Sequence, residues 1–272
     1  MRGLLRLLGC VLVAALSLQL FFIGRIALMA VIDPGSTTFQ RSEAWRIALE
    51  GRTGKGDAAW RQQWVPYDHI ADTLKRAVIA SEDADFIYHR GVEWEAIEKA
   101  RERNARAEAL AAQRAARAAA RGQPSREPRL RGGSTITQQL AKNLLLSGER
   151  TLLRKGQELV LATTLELLLS KRRILELYLN HVEWGEGVFG AEAAAQRYFR
   201  KSAAQLSSTE AARLAVMLPN PKLYERQPGS WDGCCSAWCA CSRGPRRGGT
   251  AVRRRPSSAS TSPTTRAMPT WS

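Results

Sequence analysis

The chain has 272 residues, which is enough for one catalytic domain of ordinary size and a membrane anchor. Its 41 Lys and Arg residues against 25 Asp and Glu residues give a formal net charge of +16, which suits an anionic partner such as a phospholipid surface, a diphosphate or nucleic acid. The sequence has neither zinc-ligand spacing nor an aromatic and basic strand motif of the RNA-binding type, so nucleic acid is not an expected partner.

The N-terminus carries a long apolar run. Residues 7–24 read LLGCVLVAALSLQLFFIG without a charged side chain, and about 20 such residues match the hydrocarbon thickness of a bilayer. Arg2 and Arg6 precede the run, so the positive-inside rule predicts a cytoplasmic N-terminus and places the rest of the chain outside. A cleaved signal peptide is the alternative, but the run is longer than usual and no clear cleavage site follows it. Residues 1–33 are therefore predicted to form a cytoplasmic N-terminus and one transmembrane anchor.

The pattern after the anchor favours helices. Residues 34–59 are polar without strong periodicity and are interpreted as a juxtamembrane connector to a domain at 60–228. An apolar helical face then leads into Glu82. Residues 93–121 are rich in Ala, Arg and Glu with few large apolar side chains, which favours a solvated helix or loop over a lipid contact. No run of alternating apolar and polar residues indicates strands, so the fold is predicted to be mainly α.

Capping residues mark helices in the second half of the chain. Thr135 and Gln138 fit a capping box that begins one helix, and Ser207 and Glu210 fit another. Between these two boxes, helices are predicted at about 151–169 and over the segment RRILELYLN. Together they predict a helical domain whose charged motifs lie on helices or directly before them.

The last segment, residues 229–272, differs from the rest of the chain. It is rich in Arg, has no Lys and a single acid, and its four cysteines are spaced wrongly for a zinc finger or ribbon. Cys10 lies in the anchor and no cysteine lies between, so the domain is not expected to need a disulfide. The hypothesis is that a frameshift produced this aberrant tail, which is predicted to be disordered.

Charged residues at helical spacing indicate a candidate site. Arg150, Arg154 and Glu158 recur every four residues, which places them on one side of a helix, and Lys155 lies near that side. A carboxylate among cations is favoured in its ionised form. Such a cluster suits a substrate that carries a diphosphate. Glu82 is a separate carboxylate with fewer cations nearby in the sequence, which suits a general base.

Two further features belong to the same hypothesis. Lys142 adds a cation on the preceding helix, and backbone amides after Gly132 and Gly133 can bind a phosphate at a helix start. Spacing alone leaves a second interpretation open, because Arg and Glu four residues apart are often surface ion pairs worth about 0.3–0.5 kcal/mol. A Gly-Gly-Ser-Thr segment before a helix is likewise often only a capped turn.

Five short motifs, in order along the chain, resemble those of glycosyltransferase family 51, and most closely those of its monofunctional peptidoglycan transglycosylases. The likeness covers roughly residues 60–226. The motifs are EDADFIYHRG at 82–91, GGSTITQQLAKN at 132–143, RKGQE at 154–158, KRRILELYLN at 171–180 and AAAQRYFRK at 193–201. This resemblance implies a mainly α, lysozyme-like glycosyltransferase domain behind an N-terminal transmembrane helix.

The resemblance also implies a role for each matching residue. Glu82 corresponds to the general base that deprotonates the 4-hydroxyl of the acceptor lipid II, Asp83 supports it, and Glu158 is the second essential carboxylate. The implied diphosphate ligands are Lys142, Arg150, Arg154 and Lys155, and the implied sugar and phosphate contacts are Ser134, Thr135, Gln138 and Gln139. Four other motif residues are interpreted as structural supports of the site, namely Phe86, His89, Tyr178 and Asn180.

The reaction that this resemblance implies is the polymerisation of lipid II into β-1,4 glycan strands, with inversion and release of undecaprenyl diphosphate. Expected partners are lipid II, the growing strand, membrane lipids and proteins of cell-wall synthesis or division. The catalytic domain is expected on the periplasmic side of the cell inner membrane. No cofactor or resident metal is expected to be required, although some family members use a divalent metal at the diphosphate, which makes Mg²⁺ a candidate there.

Two alternative functions stay open at this point. A lysozyme-like, glycan-cleaving enzyme would not need the cations of the Arg150 to Glu158 segment. A non-catalytic lipid II-binding protein or degraded homologue is favoured by the aberrant tail, whereas the presence of both Glu82 and Glu158 argues against it.

Overall fold

The computed structural model of the chain describes residues 2–52, 60–119, 121, 133–146 and 151–226. Gly132, Arg150 and the tail at 229–272 lie outside the described residues. In the described part the helices are α1 (Arg2–Leu28), α2 (Thr38–Arg52), α3 (Asp72–Glu82), α4 (Trp94–Ala119), α5 (Ile136–Leu145), α6 (Leu152–Leu168), α7 (Lys171–His181), α8 (Ala191–Phe199), α9 (Ser208–Met217) and α10 (Pro221–Arg226).

A small three-stranded sheet accompanies the helices. Its strands are β1 (Arg61–Gln62), β2 (Glu183–Gly185) and β3 (Val188–Phe189), in the order β1-β3-β2. Strand β1 is parallel to β3, and β2 is antiparallel to it. These strands are too short for an alternating pattern to show in the sequence. The prediction of a mainly α fold with an apolar N-terminal helix is confirmed.

Helices α3 and α5 carry the core next to the candidate site. Helix α3 packs against α9, and α5 packs against both α6 and α7. Leu74 and Val78 on α3, and Leu140 and Leu144 on α5, are four residues apart in each pair and fully buried, which is the spacing of one helix face. This packing brings Glu82, the last residue of α3, close to the start of α5.

The predicted helix starts are largely confirmed. Ser207 and Glu210 form a complete capping box at the start of α9. The Thr135 side chain accepts a hydrogen bond from the amide of Gln138, but the side-chain amide of Gln138 has no partner within the described chain, so this box is only half formed. Helix α6 occupies the region predicted at 151–169, with Thr151 as its N-cap.

Helix α4 confirms the helical option for the segment rich in Ala, Arg and Glu. Most of its side chains are exposed, and its ion pairs, such as Glu95 with Lys99, are four residues apart on the solvent side. Pairs of this kind contribute only about 0.3–0.5 kcal/mol each. The helix is therefore held by its backbone and by few tertiary contacts.

The segment interpreted as a connector contains helix α2, which packs on the domain. The Thr38 hydroxyl donates to the carbonyl of Leu144, 3.0 Å away, and the side chain of Gln40 lies 3.2 Å from Nδ1 of His181. Thr37 and Gln40 are fully buried. Because these buried residues are polar, the segment lacks the apolar stripe by which a packed helix is normally recognised.

Helix α1, the predicted anchor, ends inside the domain. Helix α1 is long and apolar enough to cross a membrane, and Ile26 near its end is fully buried in the common core together with Met29 just behind it. Nε of Arg173 on α7 donates to the carbonyl of Met29 at 2.8 Å, and its Nη2 binds Asp33 at 2.6 Å. The last turn of the anchor is thus part of the same packed unit as α7.

A second contact joins the anchor to α6. Nε2 of Gln19 donates a hydrogen bond of 2.8 Å to Oε1 of Gln157. Gln19 lies within the apolar helix, where an amide without a partner would be costly in hydrocarbon. Interhelical hydrogen bonds of this kind contribute about 0.6–2 kcal/mol in membrane proteins. Gln157 immediately precedes Glu158, so the contact fixes α6 next to the candidate site.

A cluster of charges joins α2, the β2–β3 hairpin and α10. Nζ of Lys222 lies 2.9 Å from Glu43 and 3.4 Å from Glu183, and Arg46 pairs with Glu186. Burial raises the pKa of Glu183 to about 7, and the nearby carboxylates of Glu43 and Glu186 act in the same direction against the pull of Lys222. This cluster therefore holds a carboxyl group that resists ionisation.

We expect Glu183→Gln to stabilise the protein at pH 8 but not at pH 5. The folded-state pKa of Glu183 lies above its ordinary value, so its favourable contribution is complete at low pH and is lost as the pH rises through about 7. The variant removes that loss. Unfolding midpoints of both proteins between pH 5 and pH 8 measure the effect, with Glu108→Gln, at an exposed acid on α4 outside the cluster, as the control. A difference that does not change with pH would contradict the prediction.

Candidate active site

Glu82 is held by a neutral amide. Its Oε2 accepts a hydrogen bond of 3.0 Å from Nε2 of Gln139 on α5. The hydroxyl of Tyr178 on α7 donates to Oε1 of the same amide at 2.9 Å, which fixes the orientation in which Nε2 faces the carboxylate. Among the described residues Glu82 forms no ion pair. Glu82 is therefore separate from the cations, as the sequence analysis predicts.

The surroundings of Glu82 favour its protonated form more than water does. Burial raises the pKa of Glu82, the charge of Asp83 adds to the rise, and the hydrogen bond from Gln139 opposes it. A carboxylate with a raised pKa is a better proton acceptor near neutral pH. The site thus gives Glu82 the properties of a general base.

Asp83 has a different environment, although it is the next residue. It is buried, and its two oxygens accept hydrogen bonds of 2.9 Å from Nε2 of His89 and from the backbone amide of Ile136. Nδ1 of His89 accepts from the amide of Gly91 at 3.1 Å, so the neutral Nε2–H tautomer satisfies every contact. Asp83 therefore joins the first motif to the start of α5. This is a structural, supporting position, since its hydrogen bonds go to His89 and Ile136 and not to Glu82.

Thr135 strengthens the same junction. Its hydroxyl donates to the carbonyl of Gly91 at 2.6 Å and accepts from the amide of Gln138 at 3.2 Å. Gly91 has φ +87°, and a Cβ there would lie 3.1 Å from the carbonyl oxygen of Ala162. Glycine is needed at this position, and the Thr135 side chain is fully engaged within the fold.

The second carboxylate lies among cations, as its spacing predicts. Glu158 is only 3% exposed, accepts a hydrogen bond of 3.0 Å from Nη1 of Arg154, and is paired with Nζ of Lys155. The Lys155 side chain is 42% exposed, which leaves its charge within reach of a ligand. Arg150 lies outside the described residues. The structure therefore brings Arg154, Lys155 and Glu158 together.

Ser134 links the two carboxylates. Its hydroxyl lies 3.5 Å from Nζ of Lys155, and its carbonyl lies 3.5 Å from Nε2 of Gln139. A continuous row of polar contacts therefore runs from Glu82 through Gln139, Ser134 and Lys155 to Glu158. The remaining predicted contacts lie on α5, where Gln138 is buried with an unpartnered amide among the described residues and Lys142 is exposed.

The structure also shows positioning residues that the sequence analysis does not identify. Nζ of Lys171 donates to the carbonyl of His89 and to Oε1 of Glu166, both at 2.7 Å, and lies 4.4 Å from the centre of the Phe86 ring. Thr137 donates to the same oxygen of Glu166 at 2.6 Å. The signal for Lys171 was its place as the first residue of the motif KRRILELYLN. These contacts hold the first, second and fourth motifs together.

The described residues do not fit a resident Mg²⁺. One oxygen from Asp83, one from Glu93 and a ring nitrogen of His89 lie within 4.8 Å of one another. However, the Asp83 oxygens and both nitrogens of His89 already take part in the hydrogen bonds described above. Mg²⁺ also prefers oxygen ligands in octahedral geometry. At the other end of the site, Glu158 is neutralised by two cations, so this carboxylate does not call for a metal either.

One isolated carboxylate beside a second carboxylate among cations can serve an enzyme that transfers a glycosyl group from a charged leaving group. The comparisons with known proteins agree. The model of the family described as Transglycosylase matches residues 51–233. The chain belongs to this family, and it is a glycosyltransferase.

Similar proteins cover most of the chain. A protein of Bordetella pertussis is 53% identical over 216 residues, which are 79% of this chain and 81% of that protein. A protein of Cupriavidus metallidurans is 50% identical over 231 residues, 84% of this chain and 88% of that protein. A protein of Burkholderia pseudomallei is 51% identical over 217 residues, 80% and 76% respectively. Each of the three bears the name biosynthetic peptidoglycan transglycosylase.

Proposed function

We propose that the protein polymerises lipid II into β-1,4 glycan strands on the periplasmic face of the cell inner membrane. The observation that carries the proposal is the pairing of a cation-free carboxylate, Glu82, with a cation-rich one, Glu158, along one row of contacts. The names of the similar proteins support peptidoglycan as the product. The N-terminal helix supports attachment to the membrane, where a lipid-linked substrate is concentrated.

In the proposed mechanism Glu82 accepts the proton of the acceptor's 4-hydroxyl as that oxygen attacks C1 of the donor sugar. The bond from C1 to the diphosphate breaks on the opposite face, which inverts the configuration and releases undecaprenyl diphosphate. Arg154 and Lys155 stabilise the charge that develops on the leaving diphosphate. Lys142 and Arg150 are proposed as further cations for it, with Ser134 and Gln138 as contacts to the sugars.

The contacts of three predicted residues favour a role in positioning the site over direct contact with the substrate. Asp83 and Thr135 hold the start of α5, and Gln139 orients Glu82 and favours its ionised form. We therefore propose that the main role of Gln139 is to position Glu82, and that contact with the substrate is its secondary role. Because the described residues around Glu158 offer no fitting ligands for Mg²⁺, no step of the proposed mechanism uses a metal.

The test is formation of glycan polymer from fluorescent lipid II by the full chain in detergent. The expected product is a ladder of long strands that a muramidase degrades and that carries β-1,4 links. Release of short fragments from added peptidoglycan, without polymer from lipid II, would instead favour a glycan-cleaving enzyme. Lipid II binding without either product, in a folded protein, would favour a non-catalytic homologue.

We expect kcat/KM to rise with pH on an acidic limb that lies above pH 4.5, because Glu82 acts when ionised and its pKa is raised. The hydrogen bond from Gln139 lowers that pKa, so Gln139→Leu is expected to move the limb to higher pH. Gln138→Leu is the matched control, since Gln138 does not contact Glu82 and its loss changes the rate without moving the limb. Equal limbs in all three proteins would show that Glu82 is not the titrating base.

A further inference from the structure

A cleft of about 270 Å³ lies where the anchor ends. Its walls include Leu28, Met29 and Ile32 from the end of α1 and the turn behind it, followed by Pro34 and Gly35. Leu28 and Ile32 are more than half exposed. The volume lies below the range of about 300–1,000 Å³ that is usual for whole small-molecule ligands. It fits the head group and glycerol of a lipid whose chains lie outside the cleft.

A cation lines one wall of this cleft. Arg25 precedes Leu28 by three residues and Met29 by four, so the three side chains share one helix face. Within the described residues the guanidinium of Arg25 has no hydrogen-bond acceptor and no acidic partner. Arg25 is also half-buried, which makes a partly desolvated charge without a counterion the main electrostatic feature of the cleft.

A second cation lies beside the cleft. Nη1 of Arg41 donates to the carbonyl and to the hydroxyl of Ser36, both at 3.3 Å, and Ser36 lines the cleft. The acid of this turn, Asp33, is already bound to Arg173 at 2.6 Å. Two guanidinium groups therefore face the cleft region while its nearby carboxylate is engaged elsewhere.

We propose that this cleft binds one anionic glycerophospholipid, with the phosphodiester between Arg25 and Arg41 and the glycerol against Leu28, Met29 and Ile32. Guanidinium groups are suited to phosphate oxygens by their planar arrangement of donors. A head group without its own ammonium is preferred because the cleft region already carries two positive charges. The site rests on the membrane placement proposed for α1, and it is separate from the row of contacts between Glu82 and Glu158.

The first experiment measures lipid that stays bound to the full chain. The protein is purified from membranes in mild detergent and examined by native mass spectrometry after addition of phosphatidylglycerol or phosphatidylcholine of equal chain length. The expected result is one retained phosphatidylglycerol per chain and about tenfold weaker retention of phosphatidylcholine, because the choline ammonium is repelled by the two guanidinium groups. Equal retention of both lipids would overturn the proposal, as would displacement of phosphatidylglycerol by millimolar inorganic phosphate alone.

Two variants act on the cleft in different ways. Arg25→Gln removes the unpartnered charge, and Gly35→Phe fills the cleft while both arginines remain. A Cβ at Gly35 meets nothing within 4 Å, so the second variant is expected to fold normally. Each is expected to weaken phosphatidylglycerol retention about tenfold, whereas Arg6→Gln at the other end of α1 leaves it unchanged. Retention at the normal level in both cleft variants would overturn the site.

Carbonate extraction of the same membranes separates this proposal from the one on which it rests. Resistance of wild type and Arg25→Gln to extraction, with selective lipid loss only in the variant, supports the lipid site. Extraction of the wild-type protein would show instead that α1 does not span the membrane, and the lipid site would fall with it. Polymer formation from lipid II is measured in parallel, and its failure alone bears only on the proposed catalytic function.

Discussion

Replacing Glu82 by Gln is expected to lower kcat for glycan polymerisation by about 10²–10⁴-fold, the usual contribution of a general base. Gln has nearly the same shape and can still accept a hydrogen bond from Gln139, so the unfolding midpoint is expected to stay within about 2 °C of the wild-type value. The measurement is the initial rate with fluorescent lipid II, beside a thermal unfolding curve. Asp85→Asn, an exposed acid in the same motif, is the matched control and should keep full activity.

Two results would contradict this role for Glu82. Turnover within a few fold of the wild-type value would show that another group takes the proton. A large fall in the unfolding midpoint would show that Glu82 is needed for folding, and the lost activity would then say nothing about chemistry. The binding of lipid II to the variant distinguishes a lost base, which leaves binding intact, from a lost binding site.

Asp83→Ala, unlike Glu82→Gln, is expected to act mainly by lowering the stability of the fold. It removes the acceptor for both the His89 ring and the amide of Ile136, which stay buried without a partner. Leaving a buried donor without an acceptor costs about 1–3 kcal/mol, so the two donors together cost about 2–6 kcal/mol, and for a domain of this size that lowers Tm by about 4–24 °C. Thermal unfolding and hydrogen exchange at the start of α5 measure the loss.

The matched control for this variant is Asp85→Ala, whose exposed side chain is expected to change the free energy of unfolding by less than about 0.5 kcal/mol. Asp83→Asn is expected to fall between, because its amide oxygen replaces one of the two acceptors. A normal Tm in Asp83→Ala together with lost turnover would assign Asp83 a direct part in the reaction. Glu82 and Asp83 are adjacent acids of equal charge, yet loss of the first is expected to lower turnover and loss of the second to lower stability.

Local sequence signals predicted much of this fold. The spacing of Arg154 and Glu158 and the polar side chains before α5 and α9 report contacts within four residues, which depend little on the rest of the chain. The partner of Glu82 is different, because Gln139 is 57 positions away and reaches it only when α3 and α5 pack together. Burial of Gln138 likewise leaves the predicted capping box incomplete.

Other features leave no readable pattern. Helix α2 packs on the domain through the buried Gln40 and the preceding Thr37, both polar, so its sequence resembles that of a polar connector. Lys171 looks like one more surface cation, yet its contacts to His89 and Glu166 are tertiary and join three motifs. The predicted general base and the cation cluster therefore follow from short-range rules and the family resemblance, whereas the residues that hold them in place required the three-dimensional packing.

The seating of the anchor has a consequence for how the protein can be divided. Ile26 and Met29 fill the core, and Arg173 binds the carbonyl of Met29. A fragment that starts at residue 34 would leave a hole lined by apolar side chains, which promotes aggregation and loosens α7. A soluble enzyme should therefore keep the segment from Ile26 onward, with substitutions on its outward face. With α1 in the membrane as proposed, this helix and the catalytic domain form one packed unit, so the enzyme is expected to diffuse in the membrane at one fixed height and orientation.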